Sequence, residues 1–205
     1  MAIKKRAENR KQKENSLAKM YRESWRYIKE SKKFIWISVT IFLLFFFIGY
    51  FVPAPANIEN MILQFIKDLL TKTQGLSQWD LISFIFLNNV QTSFASIFFG
   101  IVLSIFPAIT TISNGYLLGF VAAETVKENG VLVLWRLLPH GIFELPALFI
   151  SLGLGIKMGT AIFRDKVLLT LKKYMIESAK VFVFVVIPLL IIAAIIEGTL
   201  IHLLS

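Results

Sequence analysis

The chain contains no cysteine and little charge. Without cysteine, its 205 residues can form neither a disulfide nor a thiolate site for zinc or an iron–sulfur cluster. Charged residues make up only 17% of the chain, whereas soluble domains contain about a quarter. Hydrophobic residues make up 56%. So little polar surface cannot cover a globule in water, and the composition therefore predicts a protein that uses the bilayer as its solvent.

The motifs of several enzyme classes are also missing. The sequence has no Gly-rich phosphate loop followed by Lys and Ser or Thr, no HExxH zinc motif and no nucleophile elbow. No apolar segment carries the row of Arg that senses voltage. We therefore expect a protein without enzymatic activity and without a cofactor. A hydrolase that acts on lipid inside the membrane is a weaker alternative.

The net charge of +9 is concentrated near the N-terminus, because residues 1–33 hold twelve Lys and Arg but only four Glu. Beside a membrane helix, such a basic arm usually orients the chain and faces anionic lipid, so we expect no nucleic acid partner. Apolar side chains recur on one helical stripe of this arm: Leu17, Tyr21, Trp25 and Ile28. This pattern predicts an amphipathic helix that lies on the inner leaflet.

Apolar segments long enough to cross the bilayer follow the arm and predict an all-α bundle of about five transmembrane helices. The predicted spans are 34–52, 81–106, 108–126, 139–159 and 181–201. We expect Pro53 and Pro107 to end the first two spans and Pro188 to break the last one. Residues 53–80 predict a short amphipathic helix on the outer face, 127–138 an interfacial or re-entrant piece, and 160–180 a basic amphipathic connector.

The orientation follows from the distribution of basic residues between the predicted loops. With the N-terminus inside, 18 Lys and Arg lie in cytoplasmic segments and four lie outside. The sequence therefore predicts a multi-pass protein of the cell membrane, with a cytoplasmic N-terminus and an extracytoplasmic C-terminus.

Small residues in two spans predict close helix contacts. Gly115 and Gly119 lie four apart in the third span, and Gly155 and Gly159 lie four apart in the fourth. This spacing lets two backbones approach each other. We therefore consider a homodimer through these two faces.

Polar residues in four spans are predicted to share one depth in the outer half of the bundle. They are Asn88, Asn89, Glu124, His140, Glu144 and Glu197. His140 and Glu144 are four apart and stack on one helical face, and Pro146 leaves the carbonyl of Ile142 without its helical donor. Such a cluster can fix the register of the helices, bind a ligand or an ion, or take part in catalysis, and the sequence leaves these interpretations open.

One segment carries a resemblance to a known family. Residues 138–147, LPHGIFELPA, resemble the signature of the stage II sporulation protein M family, an integral membrane family of bacteria and archaea. The segment from Phe86 to Asn89, together with Gly100, the Asn114–Gly115 pair and Gly119, is also similar to its pattern. The similarity covers roughly Phe34 to the end of the chain and excludes the basic arm.

The resemblance implies a membrane bundle rather than a particular reaction. In spore-forming bacteria, the name-giving member holds peptidoglycan-degrading partners together, and other members occur in organisms that form no spores. It implies a non-enzymatic scaffold that organises other membrane proteins or copies of itself. The alternative is a transporter or channel for an ion or a small solute, with its polar site in the outer half of the bundle.

Overall fold

The computed structural model describes the backbone of residues 2–102 and 104–204 and the side chains of residues 16–102, 104–132, 134–135 and 141–203. These parts are 92% helical and contain no strand. The helices are α1 (Ala2–Phe51), α2 (Ala56–Thr73), α3 (Gln78–Phe98), α4 (Ile105–Asn129), α5 (Leu138–Gly159), α6 (Val167–Val181) and α7 (Ile187–Leu204). Among the described residues, five helical stretches are long and apolar enough to cross a membrane. The predicted all-α bundle of five spans is therefore confirmed.

Helix α5 is the central helix of the bundle. It packs against α1, α3 and α7, while α1 also packs along α4 and α3 along α7. We call these two flanking contacts the α1–α4 seam and the α3–α7 seam. Because α5 lies between them, 67% of its most apolar stretch of 18 residues is buried, against 17% of the corresponding stretch of α1.

Helix α1 is continuous from Ala2 to Phe51 and differs from the prediction of a separate arm on the membrane surface. No Pro or Gly interrupts the chain before Gly49, so nothing in the sequence ends the helix at residue 33. The helix ends just before Pro53, whose ring disfavours helical backbone in the preceding residue. The polar part of α1 packs against α6. We call this end of the bundle, with residues 16–33 and 164–180, the basic end.

Two prolines occupy positions that differ from the prediction. Pro107 does not end the second span, which closes with a 3-10 turn at Phe99–Ile101; Pro107 lies instead in the first turn of α4, where its missing N–H is no loss. Pro188 does not break the last span, because a π-helical turn at Phe182–Val186 precedes it. That wider turn accommodates the proline ring, which would clash with the carbonyl four residues earlier in a regular helix. As a result, α6 and α7 form one continuous stretch.

The helix predicted within residues 53–80 forms as α2, and none of its side chains is buried. It connects the end of α1 to the start of α3, where the Gln78 amide donates a hydrogen bond to the Thr199 hydroxyl, 3.1 Å away. We call this end of the bundle the α2 end. Residues 127–138 divide between the last turn of α4, a left-handed Gly130 and a 3-10 segment at Val131–Leu137.

Candidate functional site

Glu144 lies on the buried side of α5, and 7% of its surface is exposed. The hydroxyl of Ser38 in α1 donates a hydrogen bond to the carbonyl of Phe149 in α5, at 3.1 Å. Since α1 and α5 are antiparallel, this contact places Glu144 opposite about residue 43, in the middle of the apolar part of α1. A carboxylate at this depth costs free energy unless protein groups surround it.

Glu124 lies at a different level, near the α2 end. The backbone of Gly119 packs on that of Phe46 in the α1–α4 seam, so Glu124 lies opposite about residue 51. That position is about 12 Å nearer to the α2 end than Glu144 along the helix axes. Its carboxylate accepts a hydrogen bond from Lys127 on its own helix, at 2.5 Å. Glu124 thus belongs to the surface of the seam rather than to a buried centre.

Glu197 belongs to the α3–α7 seam. The adjacent Gly198 packs on Ile82 of α3, and Thr199 binds Gln78 as described above. Because α5 separates the two seams, Glu124 and Glu197 lie in different parts of the bundle. Glu124 therefore lies apart from Glu197, and no group of three metal-ligating side chains occurs among the described residues.

The structure describes the side chains of the two predicted amides but not that of the predicted histidine. Asn88 of α3 is exposed, and Asn89 is half-buried. The side chain of His140 lies outside the described residues, so the predicted pair with Glu144 stays a prediction. A site at Glu144 would consist of side chains from α5 and from the helices that pack directly against α5.

The four predicted glycines pack against backbone of the same chain. A Cβ atom at Gly115 or Gly119 would overlap the backbone of α1, and one at Gly155 or Gly159 would overlap backbone between Ser96 and Ser104. The faces that we considered for a homodimer are therefore covered by α1 and by the end of α3. A dimer would need another surface, because these helices would otherwise have to be displaced.

A polar cluster at the basic end was missed by the sequence analysis. Lys157, near the end of α5, is 7% exposed. Its Nζ atom donates a hydrogen bond to the Ser31 hydroxyl at 2.8 Å and lies 3.8 Å from the ring centroid of Tyr27 and 5.1 Å from that of Tyr174. We call these four residues the lysine cluster. Aromatic faces attract a cation and offset part of the cost of burying it.

An ion-paired lysine extends this cluster along α6. The Nζ atom of Lys180 lies 3.0 Å from a carboxylate oxygen of Glu23 in α1 and 3.0 Å from one of Glu177 in α6. The lysine cluster and this pair together join α1, α5 and α6. Their geometry can hold three helices in one arrangement, which is a structural rather than a chemical capability.

A repeat of serine in α1 explains how these helices approach so closely. Ser24, Ser31 and Ser38 are seven residues apart, and each is fully buried. Each hydroxyl donates a hydrogen bond to a carbonyl of its own helix, which satisfies the hydroxyl and leaves room for a neighbouring helix. A seven-residue period keeps one helical face toward a partner, so this repeat was the available signal.

Comparison with known proteins assigns the chain to a family. The family model described as stage II sporulation protein M matches residues 38–200. The chain belongs to the stage II sporulation protein M family. It is an integral membrane protein, as the resemblance at residues 138–147 predicted. Lys157 and Tyr174 lie inside the matched region of the stage II sporulation protein M family, whereas Tyr27 and Ser31 precede it.

A relative of this chain occurs in an archaeon. A protein of Methanocaldococcus jannaschii, described as uncharacterized, is 33% identical over 105 residues, which are 48% of this chain and 47% of that protein. The chain thus spans about half the length of the curated relative it matches. No solved structure matches the chain.

Proposed function

We propose that the chain is a non-enzymatic scaffold that organises a complex of membrane proteins, with the basic end in the cytoplasm. The distribution of 18 basic residues toward that end and four toward the other supports this orientation. The partner is a helix of another membrane protein or of a second copy, which binds the part of α1 that projects from the bundle.

One observation carries the proposal: an exposed apolar stripe on the projecting part of α1. Leu17 is 48% exposed, Tyr21 48% and Trp25 43%. A neighbouring face of this segment packs against α6 through Tyr27, and the three side chains of the stripe remain exposed beside that contact. Contiguous exposed apolar side chains mark interaction surfaces in soluble segments.

The distance of the stripe from the membrane favours a protein partner over lipid. Leu17 precedes Phe34 by 17 residues, about 25 Å along a straight helix, which exceeds the reach of acyl chains. Tyr21 and Trp25 form an edge-to-face pair with centroids 6.4 Å apart. Paired aromatic side chains of this kind are enriched at the centres of protein interfaces.

Cross-linking in native membranes tests the proposal. A photo-crosslinking amino acid at Tyr21 should give one discrete adduct, and Trp25→Glu should reduce that adduct about tenfold because a charge is excluded from an apolar contact. The same amino acid at Arg26, exposed on the other side of α1, is the control and should give none. Equal adducts at both positions, or an adduct unchanged by Trp25→Glu, would contradict the scaffold.

The buried carboxylate of Glu144 favours transport as a second candidate function, because intramembrane carboxylates often mark ion pathways. In reconstituted liposomes, transport predicts a proton or sodium flux that Glu144→Gln abolishes and Glu124→Gln retains. A flux no greater than that of empty liposomes removes this candidate. The fully buried Leu152, Leu154 and Met158 in α5 support the scaffold instead, since they fill the centre of the bundle.

A further inference from the structure

An apolar groove separates α2 from the bundle. It has a volume of about 560 Å³ and is lined by Phe45 of α1, by Ile58, Met61 and Phe65 of α2, and by residues of α4 that include Ser113 and Tyr116. This volume lies in the range of binding sites for small molecules. Because no side chain of α2 is buried, α2 leaves this groove open instead of closing it.

A smaller polar crevice lies next to the groove at the α2 end. Its volume is about 180 Å³, and its lining includes Tyr50, Glu59, Glu124 and Lys127. The two spaces adjoin, because Glu59 follows Ile58 on α2 and Phe120, which lines the crevice, lies one turn beyond Tyr116 on α4. Together they form a cleft with one apolar part and one charged part.

The depth of the apolar part excludes water as its natural filling. Phe45 lies in the middle of the apolar stretch of α1, and Tyr116 contacts Gly49 of the same helix, so the groove faces the acyl region of the bilayer. Water in an apolar space gives up hydrogen bonds, whereas a hydrocarbon chain loses nothing there. A hydrocarbon chain therefore fits this part better than water does.

The charges of the polar part select the headgroup. Lys127, 70% exposed at its side chain, provides one cation that is paired with the Glu124 carboxylate, and Glu59 adds a second carboxylate. A phosphate fits the lysine, and an amine fits the carboxylates, whereas a headgroup with only negative charge meets two like charges. The complement of this arrangement is a zwitterionic headgroup that carries both a phosphate and a primary amine.

We propose that the cleft between α2 and the α1–α4 seam binds an aminophospholipid of the leaflet at the α2 end. One acyl chain occupies the groove at Phe45 and Tyr116, and the headgroup occupies the crevice at Glu59, Glu124 and Lys127. Bound in this way, the lipid fills the space under α2 and fixes that helix against the bundle. This site is independent of the stripe on α1.

Native mass spectrometry of the full chain in detergent tests the site. After delipidation, added phosphatidylethanolamine should give one bound lipid, and phosphatidylglycerol with the same acyl chains should bind about tenfold more weakly, since its headgroup has no amine. Glu59→Gln should reduce this preference severalfold. Equal binding of the two lipids by the unmodified chain would overturn the charged part of the proposal.

Two variants that fill the groove test its apolar part. Ser113→Trp and Met61→Trp each add bulk from an exposed position, so at least one should fold, and each should lower phosphatidylethanolamine binding about tenfold. Leu63→Trp, on the other face of α2, is the matched control and should bind as the unmodified chain does. The site is overturned if a folded groove variant keeps its lipid or if Leu63→Trp loses it equally.

Discussion

The two ends of the bundle use polar residues in different ways. At the basic end, polar contacts join segments far apart in the sequence, such as Lys157 with Ser31, and they are buried. At the α2 end, contacts such as Lys127 with Glu124 and Gln64 with Asp68 join residues of one helix and are exposed, although the partly buried Gln78–Thr199 bond joins α3 to α7. Polar groups specify helix arrangement when they are buried between helices and contribute little when water also reaches them. The basic end is therefore the fixed part of the molecule, and the α2 end is adaptable.

The sharpest way to break this comparison uses two glycines on α5. A Cβ atom at Gly155, toward the basic end, would lie 2.9 Å from the carbonyl carbon of Ser96, whereas at Gly141 the nearest atom would be 3.9 Å away. We expect Gly155→Ala to lower the free energy of unfolding by roughly 3 kcal/mol because backbone must move. Gly141→Ala should leave it unchanged or raise it by about 0.5 kcal/mol. Unfolding in mixed micelles measures both, and equal effects would contradict the difference between the ends.

The next largest effect concerns the aromatic face that covers Lys157. Tyr27→Leu removes the ring 3.8 Å from the Lys157 Nζ atom and should cost about 2 kcal/mol or more of unfolding free energy. Tyr27→Phe keeps the ring and should cost much less. If both variants lose the same stability in micelles, the ring does not stabilise the cation.

Two serines of the repeat sharpen the comparison by depth. Ser31 accepts a hydrogen bond from the Lys157 cation, so Ser31→Ala should lower the free energy of unfolding by about 2 kcal/mol. Ser38 donates to the Phe149 carbonyl within the membrane, where such bonds are worth about 0.6 kcal/mol, and Ser38→Ala should cost about that much. A reversed order in chemical denaturation would show that charge does not distinguish the two contacts.

The smallest effects concern the ion pairs. The Lys127–Glu124 pair is exposed, with side chains 70% and 43% accessible, so Lys127→Gln should not shift the thermal midpoint at any salt concentration. The Lys180–Glu23 pair is only 24% and 22% accessible and joins two helices, so Lys180→Gln should lower the midpoint. If Lys127→Gln lowers the thermal midpoint more than Lys180→Gln does, the basic end is not the fixed part of the molecule.

Much of the fold could be predicted from the sequence, because the bilayer requires long apolar helices and charge sorts their ends. The boundaries were less predictable where proline was involved. Pro107 can end one helix or begin the next, and only the left-handed backbone at Ser104, just before α4, shows that it begins the next. Pro188 is tolerated because a π turn precedes it, which no local pattern in the sequence announces.

The candidate site was less predictable than the fold, because depth alone does not determine which helices meet. Glu124 and Glu197 are both near span ends in the sequence, yet they lie in seams on different sides of α5. The lysine cluster depends on contacts between residues more than a hundred positions apart, such as Lys157 and Ser31. The serine repeat indicates the part of the lysine cluster that lies in α1. The apolar periodicity of the same segment predicts the stripe at Leu17 instead.

The continuity of α1 has a mechanical consequence. Fifty helical residues form a stiff rod about 75 Å long, without a joint where it enters the membrane. A displacement or rotation of α1 near Leu17 would therefore also displace Gly49. Gly49 lies directly against the backbone of α4, with no side chain between the two helices. Because α1 has no break, a displacement of its cytoplasmic part would also displace the start of α2 at its other end.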